Sequence, residues 1–227
     1  MARKFFITGT GTNVGKTLVS CILAQQLRAQ NLNVQILKPL VSGVDDIRIS
    51  DTALLLKAMG KTLSETHINQ CSPWRFKAPL APSMAALLEG GILDFEEIIT
   101  FCQLPRPDAD ILLIEGAGGI MSPVTDKTHH INWIKALNIP IILVAGTYLG
   151  CISHILTAIE VCKSRQIPIA ALIINQRTDS EMAPAQIIEA LNTFITVPMV
   201  PLPLLNGKNQ IDKWKISPNI TPVIIGK

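Results

Sequence analysis

Aromatic residues are the scarcest class in this chain. There are six Phe, three Trp and one Tyr, 4% of 227 residues, while 48% of the chain is hydrophobic. The apolar bulk is therefore Ile, Leu, Val and Ala, a mix that favours helices layered on a buried parallel sheet over a β-sandwich. Charge is also sparse. A net charge of +3 with no basic run gives no electrostatic footprint for nucleic acid. The five cysteines (Cys21, Cys71, Cys102, Cys151, Cys162) are odd in number and scattered, with no CxxC and no Cys/His metal spacing. That pattern excludes a disulfide framework and points to reduced thiols in a cytoplasmic protein. Internal repeats and low-complexity tracts are absent, and the length suits one domain over 1–227.

Two stretches imitate targeting or membrane signals. "MARKFF" has the basic start of a signal peptide, but Gly9, Gly11 and Gly15 interrupt the apolar run that should follow. The uncharged run from Ala136 to Ile159 is long enough to span a bilayer. It contains Pro140, Gly146, Thr147, Gly150, Ser153 and His154, and reads as a strand, a turn and a helix, so no membrane partner is expected.

Short apolar runs alternate with helical patterns. "KFFIT", "VQILKPL", "DILLIEG", "PIILVAG" and "IAALIIN" read as strands, several of them apolar on both faces. Between them, "KTLVSCILAQQLRAQ", "DTALLLKAMG", "APSMAALLEGG", "DFEEIITFC", "THHINWIKALN", "GCISHILTAIEVC" and "EMAPAQIIEALNTF" read as helices. The fold class expected is α/β, a mostly parallel central sheet flanked by helices on both faces with right-handed crossovers. After Pro201 the only expected element is a short last strand, "TPVIIG".

"GTGTNVGKT", residues 9–17, joins the first strand to the first helix. Ligands in an open parallel sheet sit at the carboxyl ends of strands, where this loop lies. Glycines let the backbone approach phosphate oxygens, and a helix start offers free N–H groups and a positive dipole end. Lys16 supplies a point charge, and the Thr17 hydroxyl can ligate Mg²⁺. Five residues separate Gly9 from Gly15, one more than the usual spacing. The competing reading is a flexible loop that happens to hold a lysine.

A Mg²⁺–nucleotide site needs hard oxygen ligands. Glu115 ends the apolar strand of "DILLIEGAGG" beside a second Gly-rich turn and fits a metal site better than a solvated surface position. Asp51 is either a second ligand or, with Ser50, a helix N-cap. Lys38, after "VQIL", either faces the phosphates, where it would meet charge building in a transition state, or ends its strand in solvent. His67, His129, His130 and His154 share no metal-ligand spacing and read as surface or packing residues, as do Trp74, Trp133 and Trp214.

"GTGTNVGKT", "KPLVSG", "EGAGG", "YLGCISH" and "IINQR", in this order and at these spacings, resemble the dethiobiotin synthetase family, of P-loop NTPase type. The resemblance runs over essentially the whole chain and is weakest at the C-terminus. It implies MgATP-dependent carboxylation of 7,8-diaminononanoate with CO2 and closure of a ureido ring, a step of biotin biosynthesis that yields ADP and phosphate. By the same resemblance Lys38, Lys16 and Thr12 serve the reacting groups. Ser42 and Thr12 contact the diamine. Asn13, Val14, Gly15, Lys16, Thr17 and Leu18 wrap the triphosphate, with Gly116, Ala117 and Gly118 across from them. Thr17, Asp51 and Glu115 hold Mg²⁺. Asn175 and Gln176, with Leu202, Pro203 and Leu204, surround the adenine. The family is a homodimer, and the substrate's carboxylate tail meets Gly150, Cys151, Ile152 and Ser153 of the other subunit. Four positions depart from the family pattern: Gly11 for Asp, Asn13 for Glu or Gly, Ser83 for His and Ser153 for Asn. They bear on substrate contacts and rate, and Gly11 removes a carboxylate near the phosphates.

Two other functions share such a loop. A partitioning-type nucleotide switch needs a membrane or nucleic-acid surface element, and no basic or amphipathic tail is visible. An amide synthase related to cobyrinic acid synthesis needs a glutamine-handling domain, for which 227 residues are too few.

Overall fold

Residues 2–180, 182–204 and 218–225 are described in the computed structural model of the chain. In chain order the elements are β1 (Arg3–Gly9), α1 (Lys16–Arg28), β2 (Val34–Leu37), β3 (Leu40–Val41), α2 (Asp51–Ala58), α3 (Glu65–Cys71), β4 (Trp74–Arg75), α4 (Pro82–Leu88), α5 (Phe95–Gln103), β5 (Ile111–Glu115), α6 (His130–Leu137), β6 (Ile141–Gly146), α7 (Cys151–Ser164), β7 (Ile169–Asn175), α8 (Pro184–Leu191), β8 (Met199–Leu202) and α9 (Pro222–Ile225). A six-stranded, all-parallel sheet has the order β2-β5-β1-β6-β7-β8.

The strands alternate their apolar side chains between two cores. Phe6, Leu112, Ile114, Leu143 and Leu172 face α5, α6, α7 and α8. Phe5, Ile7, Ile111, Leu113 and Ile142 face α1, α2, α3 and α9. Both faces are therefore apolar, as a parallel sheet between two helical layers requires. The chain leaves β1 toward β2, fills the gap with β5, then crosses to β6 on the other side of β1. Connections diverge over the carboxyl ends of β1, β5 and β6, where such sheets bind ligands. The run from Ala136 to Ile159 is the end of α6, then β6 and the start of α7, and no described helix is long and apolar enough to cross a membrane.

Three sequence expectations need correction. "VQILKPL" is not one strand: β2 stops at Leu37, and Leu40–Val41 pairs instead with Trp74–Arg75. Pro39 has no N–H to continue a ladder, and the Lys38 N–H donates to the Cys71 carbonyl. "TPVIIG" forms a helical turn at Pro222–Ile225, with Ile224 buried under the sheet. The sixth strand of the main sheet is β8, hidden in the sequence by Pro201 and tolerated there because β8 is an edge strand. The helix expected from Glu181 starts at Pro184. Trp214, Glu181 and Gly226 lie outside the described residues.

Candidate active site

β1 delivers the chain into the loop of residues 9–17 at the carboxyl edge of the sheet. Gly15 caps α1 at φ 103°, and a side chain there would meet the Asn175 amide nitrogen at 2.3 Å. Only glycine satisfies both constraints. No side chain caps α1, so the N–H groups of its first turn remain available to a ligand. Gly119, in the second Gly-rich turn, comes so close that a Cβ on it would sit 3.1 Å from Gly11. Backbone bonds from Gly116 to Ile7 and from Ile120 to Gly9 stitch the two turns together.

Sheet register explains why distant charges meet. Ile7 pairs with Glu115 and Leu37 pairs with Ile114, so Lys38, one residue past Leu37, arrives beside Glu115. Lys38 Nζ donates to Glu115 Oε1 at 2.9 Å, to Thr17 Oγ1 at 3.1 Å and to Asp51 Oδ2. Thr17 Oγ1 donates to Glu115 Oε1 at 2.6 Å, and Ser20 Oγ to Glu115 Oε2 at 2.5 Å. Glu115 is fully buried and Lys38 is 5% exposed. Burial works against the Lys38 ammonium, but Glu115 and Asp51 outweigh it and hold its pKa above the ordinary lysine value. Burial likewise opposes the Asp51 carboxylate, and Lys38 overrides it, so Asp51 titrates below its usual range. Asp51 is not the cap: Ser50 Oγ accepts from the Ala53 N–H, and Asp51, at the first helical position, faces Lys38.

Lys16 is 7% exposed and folds back on its own loop, donating to the Gly11 carbonyl at 2.8 Å. Burial, reinforced by Lys38, pulls its pKa down to about 8 against the attraction of Glu115. Among the described residues Lys16 thus has only a neutral carbonyl as acceptor, and an incoming anion would offer it more.

Lys16, Thr17, Lys38, Ser42, Asp51 and Gly118 line one cleft of about 360 Å³, which Thr12, Asn13, Gly15, Leu18 and Ala117 complete. Three hard oxygens (Thr17 Oγ1, Asp51 Oδ2, Glu115 Oε1) converge there on a single cation, the Lys38 ammonium. An all-oxygen set around a positive charge suits Mg²⁺. Among the described residues no group of three or more His, Cys, Asp or Glu could cage a metal by itself. Phosphate oxygens and water would have to fill the remaining octahedral positions.

A second cleft of about 370 Å³ runs from Thr10, Gly11 and Thr12 past Ser122 to His154 and Thr157 on α7, so Thr12 borders both clefts. Gly150, at φ 92°, caps α7 without a side-chain bond; Cys151 is buried, Ile152 half-buried and Ser153 exposed. Asn175 lies on the far side of the loop, its Nδ2 donating to the Val14 carbonyl at 3.1 Å, and Gln176 N–H donates to the Leu202 carbonyl. Pro203 and Leu204 follow on the exposed surface. Ser83 lines a separate small cavity with Leu87 and Ile92, beside Asp126.

Sequence reasoning missed three contributors. Ser20 sits one helical turn past Lys16 and Thr17, a spacing that would have flagged it. His130 is fully buried, donating through Nδ1 to the Ser122 carbonyl at 2.9 Å and accepting at Nε2 from the Ala117 N–H at 3.0 Å. Burial pushes its pKa down to about 4, so it is a neutral brace for the second turn. Arg177 lies over the Tyr148 ring and donates to the Asn13 carbonyl at 3.3 Å. Neither His130 nor Arg177 has a local sequence signal, because both act across the fold.

Comparison with known proteins gives the family and the fold. A family model described as an AAA domain matches residues 3–205. The ATP-dependent dethiobiotin synthetase of Phenylobacterium zucineum is 44% identical over 182 residues, covering 78% of each chain. That of Methylobacterium nodulans is 40% identical over 195 residues, 82% of this chain and 86% of the other. The Bacillus subtilis (strain 168) enzyme is 40% identical over 178 residues, 78% and 76%. Among solved structures, the MinC:MinD cell division complex of Aquifex aeolicus aligns with TM-score 0.55 at 13% identity, over 94% of this chain and 86% of that one. A ParA family ATPase from Chlorobium tepidum aligns at 0.52 and 13%, over 96% and 90%. At such low identity these two likenesses speak for the fold alone, a mostly parallel sheet of P-loop NTPase type.

Proposed function

The chain belongs to the ATP-dependent dethiobiotin synthetase family, and on that premise we propose that it carboxylates 7,8-diaminononanoate with CO2 and closes the ureido ring of dethiobiotin at the cost of one ATP. One amine captures CO2 as a carbamate, and a carbamate oxygen attacks the γ-phosphorus, breaking its bond to the β,γ-bridging oxygen and releasing ADP. The resulting carbamic–phosphoric anhydride loses phosphate when the second amine attacks its carbon.

The protein's part is positioning and charge neutralisation. The loop amides from Asn13 to Thr17 grip the triphosphate, and Lys16 leaves the Gly11 carbonyl for phosphate oxygens. Lys38, held cationic by two carboxylates, stands at the boundary of phosphate and carbamate and meets the charge of both. Thr17, Asp51 and Glu115 would hold Mg²⁺. When bound, that ion neutralises charge on the transferring phosphoryl group. Thr12, on the border of both clefts, and Ser42 fix the diamine. Asn175, Gln176 and residues 202–204 surround the adenine.

The enzyme acts as a homodimer in the cytoplasm, with the substrate tail at the α7 start, Gly150–Ser153 of the other subunit, where no side chain caps the helix and the Cys151 N–H donates to the Tyr148 carbonyl at 3.0 Å. Leu149 at 97% exposure and Ile92 at 92% support an interface, since large apolar side chains in water gain from burial. The observation that carries the reading is the convergence of Lys38, Thr17, Asp51 and Glu115 at the mouth of the loop. Mass identification of the product after incubation with diamine, bicarbonate and MgATP tests it. Dethiobiotin with stoichiometric phosphate is expected. Phosphate release that ignores the diamine would favour a nucleotide switch, and release that needs glutamine an amide synthase.

A further inference from the structure

The open edge of the sheet carries a cavity of about 360 Å³ that shares no lining residue with the phosphate cleft, within the roughly 300–1,000 Å³ range of small-molecule sites. Strand β2 forms that edge, and the cavity is lined from both helical layers: Leu56 and Met59 from α2, Cys71 from α3, and Phe101 from α5. The Ile36 N–H, on the unpaired side of β2, has only the Met59 thioether as acceptor, at 3.0 Å. A sulfur acceptor is weak, so this edge is poorly satisfied.

Two cations line this cavity without a counter-ion. Lys61 donates to the neutral Gln35 Oε1 at 2.7 Å. Arg106 donates to the carbonyls of Leu104 and Phe101 and stacks its guanidinium over the Phe101 ring at 5.5 Å. Among the described residues neither has a carboxylate within 4.0 Å. Both are half-buried, and burial lowers the pKa of each, with Arg106 adding repulsion on Lys61. The one carboxylate on the rim, Asp108, is exposed. His67, also on the rim, has Nδ1 engaged by the Thr62 carbonyl. Two under-partnered cations above an apolar floor suit an organic anion, and the planar Arg fork suits a carboxylate.

The walls of this cavity also position the phosphate rim. Lys38 follows β2 by one residue, the Cys71 carbonyl accepts the Lys38 N–H at 2.9 Å, and α2 begins with Asp51. We propose that the β2-edge cavity binds a small carboxylate with an aliphatic body, and that its occupancy changes how Lys38 and Asp51 are presented to nucleotide. The binding half stands on the cavity alone. The coupling half rests on the proposed phosphate site.

Octanoate is the probe for binding, titrated calorimetrically without nucleotide while the ¹³C-methionine methyl spectrum is followed, with Met59 assigned by Met59→Leu. Saturable binding that shifts the Met59 methyl is expected, weakened about tenfold or more in Lys61→Gln and in Arg106→Gln. Inorganic phosphate, lacking the apolar body, should bind far more weakly. No saturation, a still Met59 methyl, or octanoate binding untouched by both variants would overturn the site; the last is also what octanoate lodged at α7 would give. For coupling, MgADP affinity is measured with and without octanoate. A change of about fivefold or more, absent in the two variants, is expected. Equal affinities overturn the coupling while leaving the binding result standing. Should Arg106→Gln fail to fold, Lys61→Gln carries the comparison.

Discussion

The two ends of the proposed reaction site are built differently. At the phosphate end, Lys38, Glu115, Asp51, Thr17 and Ser20 satisfy one another within a single chain, behind a stitched pair of glycine turns. At the α7 end, Gly150 caps a helix with no side-chain partner and Leu149 is almost wholly exposed. At the phosphate end the charges are paired within the chain, with Glu115 and Lys38 buried; the other end is open and apolar. A buried charge cluster tolerates no missing member, because each group left alone would have to stand desolvated. An open helix start tolerates absence easily, since water can serve its N–H groups. On the proposed function, one chain presets the catalytic charge, and a second chain would complete the surface that holds the substrate tail.

The largest predicted effects lie at the complete end. Lys38→Ala should lower turnover by about 10²–10³-fold, the scale of losing a preorganised charge partner. It should also cost about 3–5 kcal/mol of stability by stranding buried Glu115. Adding Glu115→Gln to Lys38→Ala should recover most of that stability and none of the turnover, measured by melting and by phosphate release with diamine present. Wild-type rates in Lys38→Ala would break the comparison outright. Glu115→Gln alone should raise the Mg²⁺ concentration for half-maximal rate by about tenfold or more, ~1.4 kcal/mol. An unchanged metal titration removes Glu115 from the metal shell.

The brace beneath the second turn gives a smaller effect with a pH signature. The folded pKa of His130, about 4, lies below the ordinary 6.5. Between those values the unfolded chain binds more protons, so stability should fall as pH drops through that window. His130→Ala should cost about 1–3 kcal/mol near pH 7, by leaving the Ala117 N–H and Ser122 carbonyl unpaired, and should flatten the slope between pH 6.5 and 4. Denaturant titrations across that range check both. At the open end, Ile92→Ser with Leu149→Ser should change monomer stability by less than about 0.5 kcal/mol, as exposed sites do. Sedimentation should nonetheless shift from dimer toward monomer. Unchanged sedimentation would place the interface elsewhere.

What was legible in the sequence follows the same division. The loop and Glu115 could be placed because strand ends in a parallel sheet share one edge, whereas Lys38 stood between phosphate and solvent until the register set it beside Glu115. Local chemistry did not decide Asp51, because ligand and cap compete for one position; Ser50 taking the cap removes only the second reading. Strand β8 escaped because Pro201 is a breaker everywhere but at an edge, and edge status is a property of the whole sheet. "TPVIIG" carries β-branched residues that suit a strand, yet packing Ile224 under the sheet selects a helical turn. His130 and Arg177 act through contacts that no spacing encodes.

The most direct test is a crystal structure with MgADP and the diamine. The account predicts nucleotide phosphates on the amides of residues 13–17, Lys16 swung from the Gly11 carbonyl onto phosphate, and Mg²⁺ among Thr17, Asp51 and Glu115, with Lys38 displaced from Asp51 toward the substrate. Nucleotide bound elsewhere, with the Lys38 cluster unchanged, would contradict it.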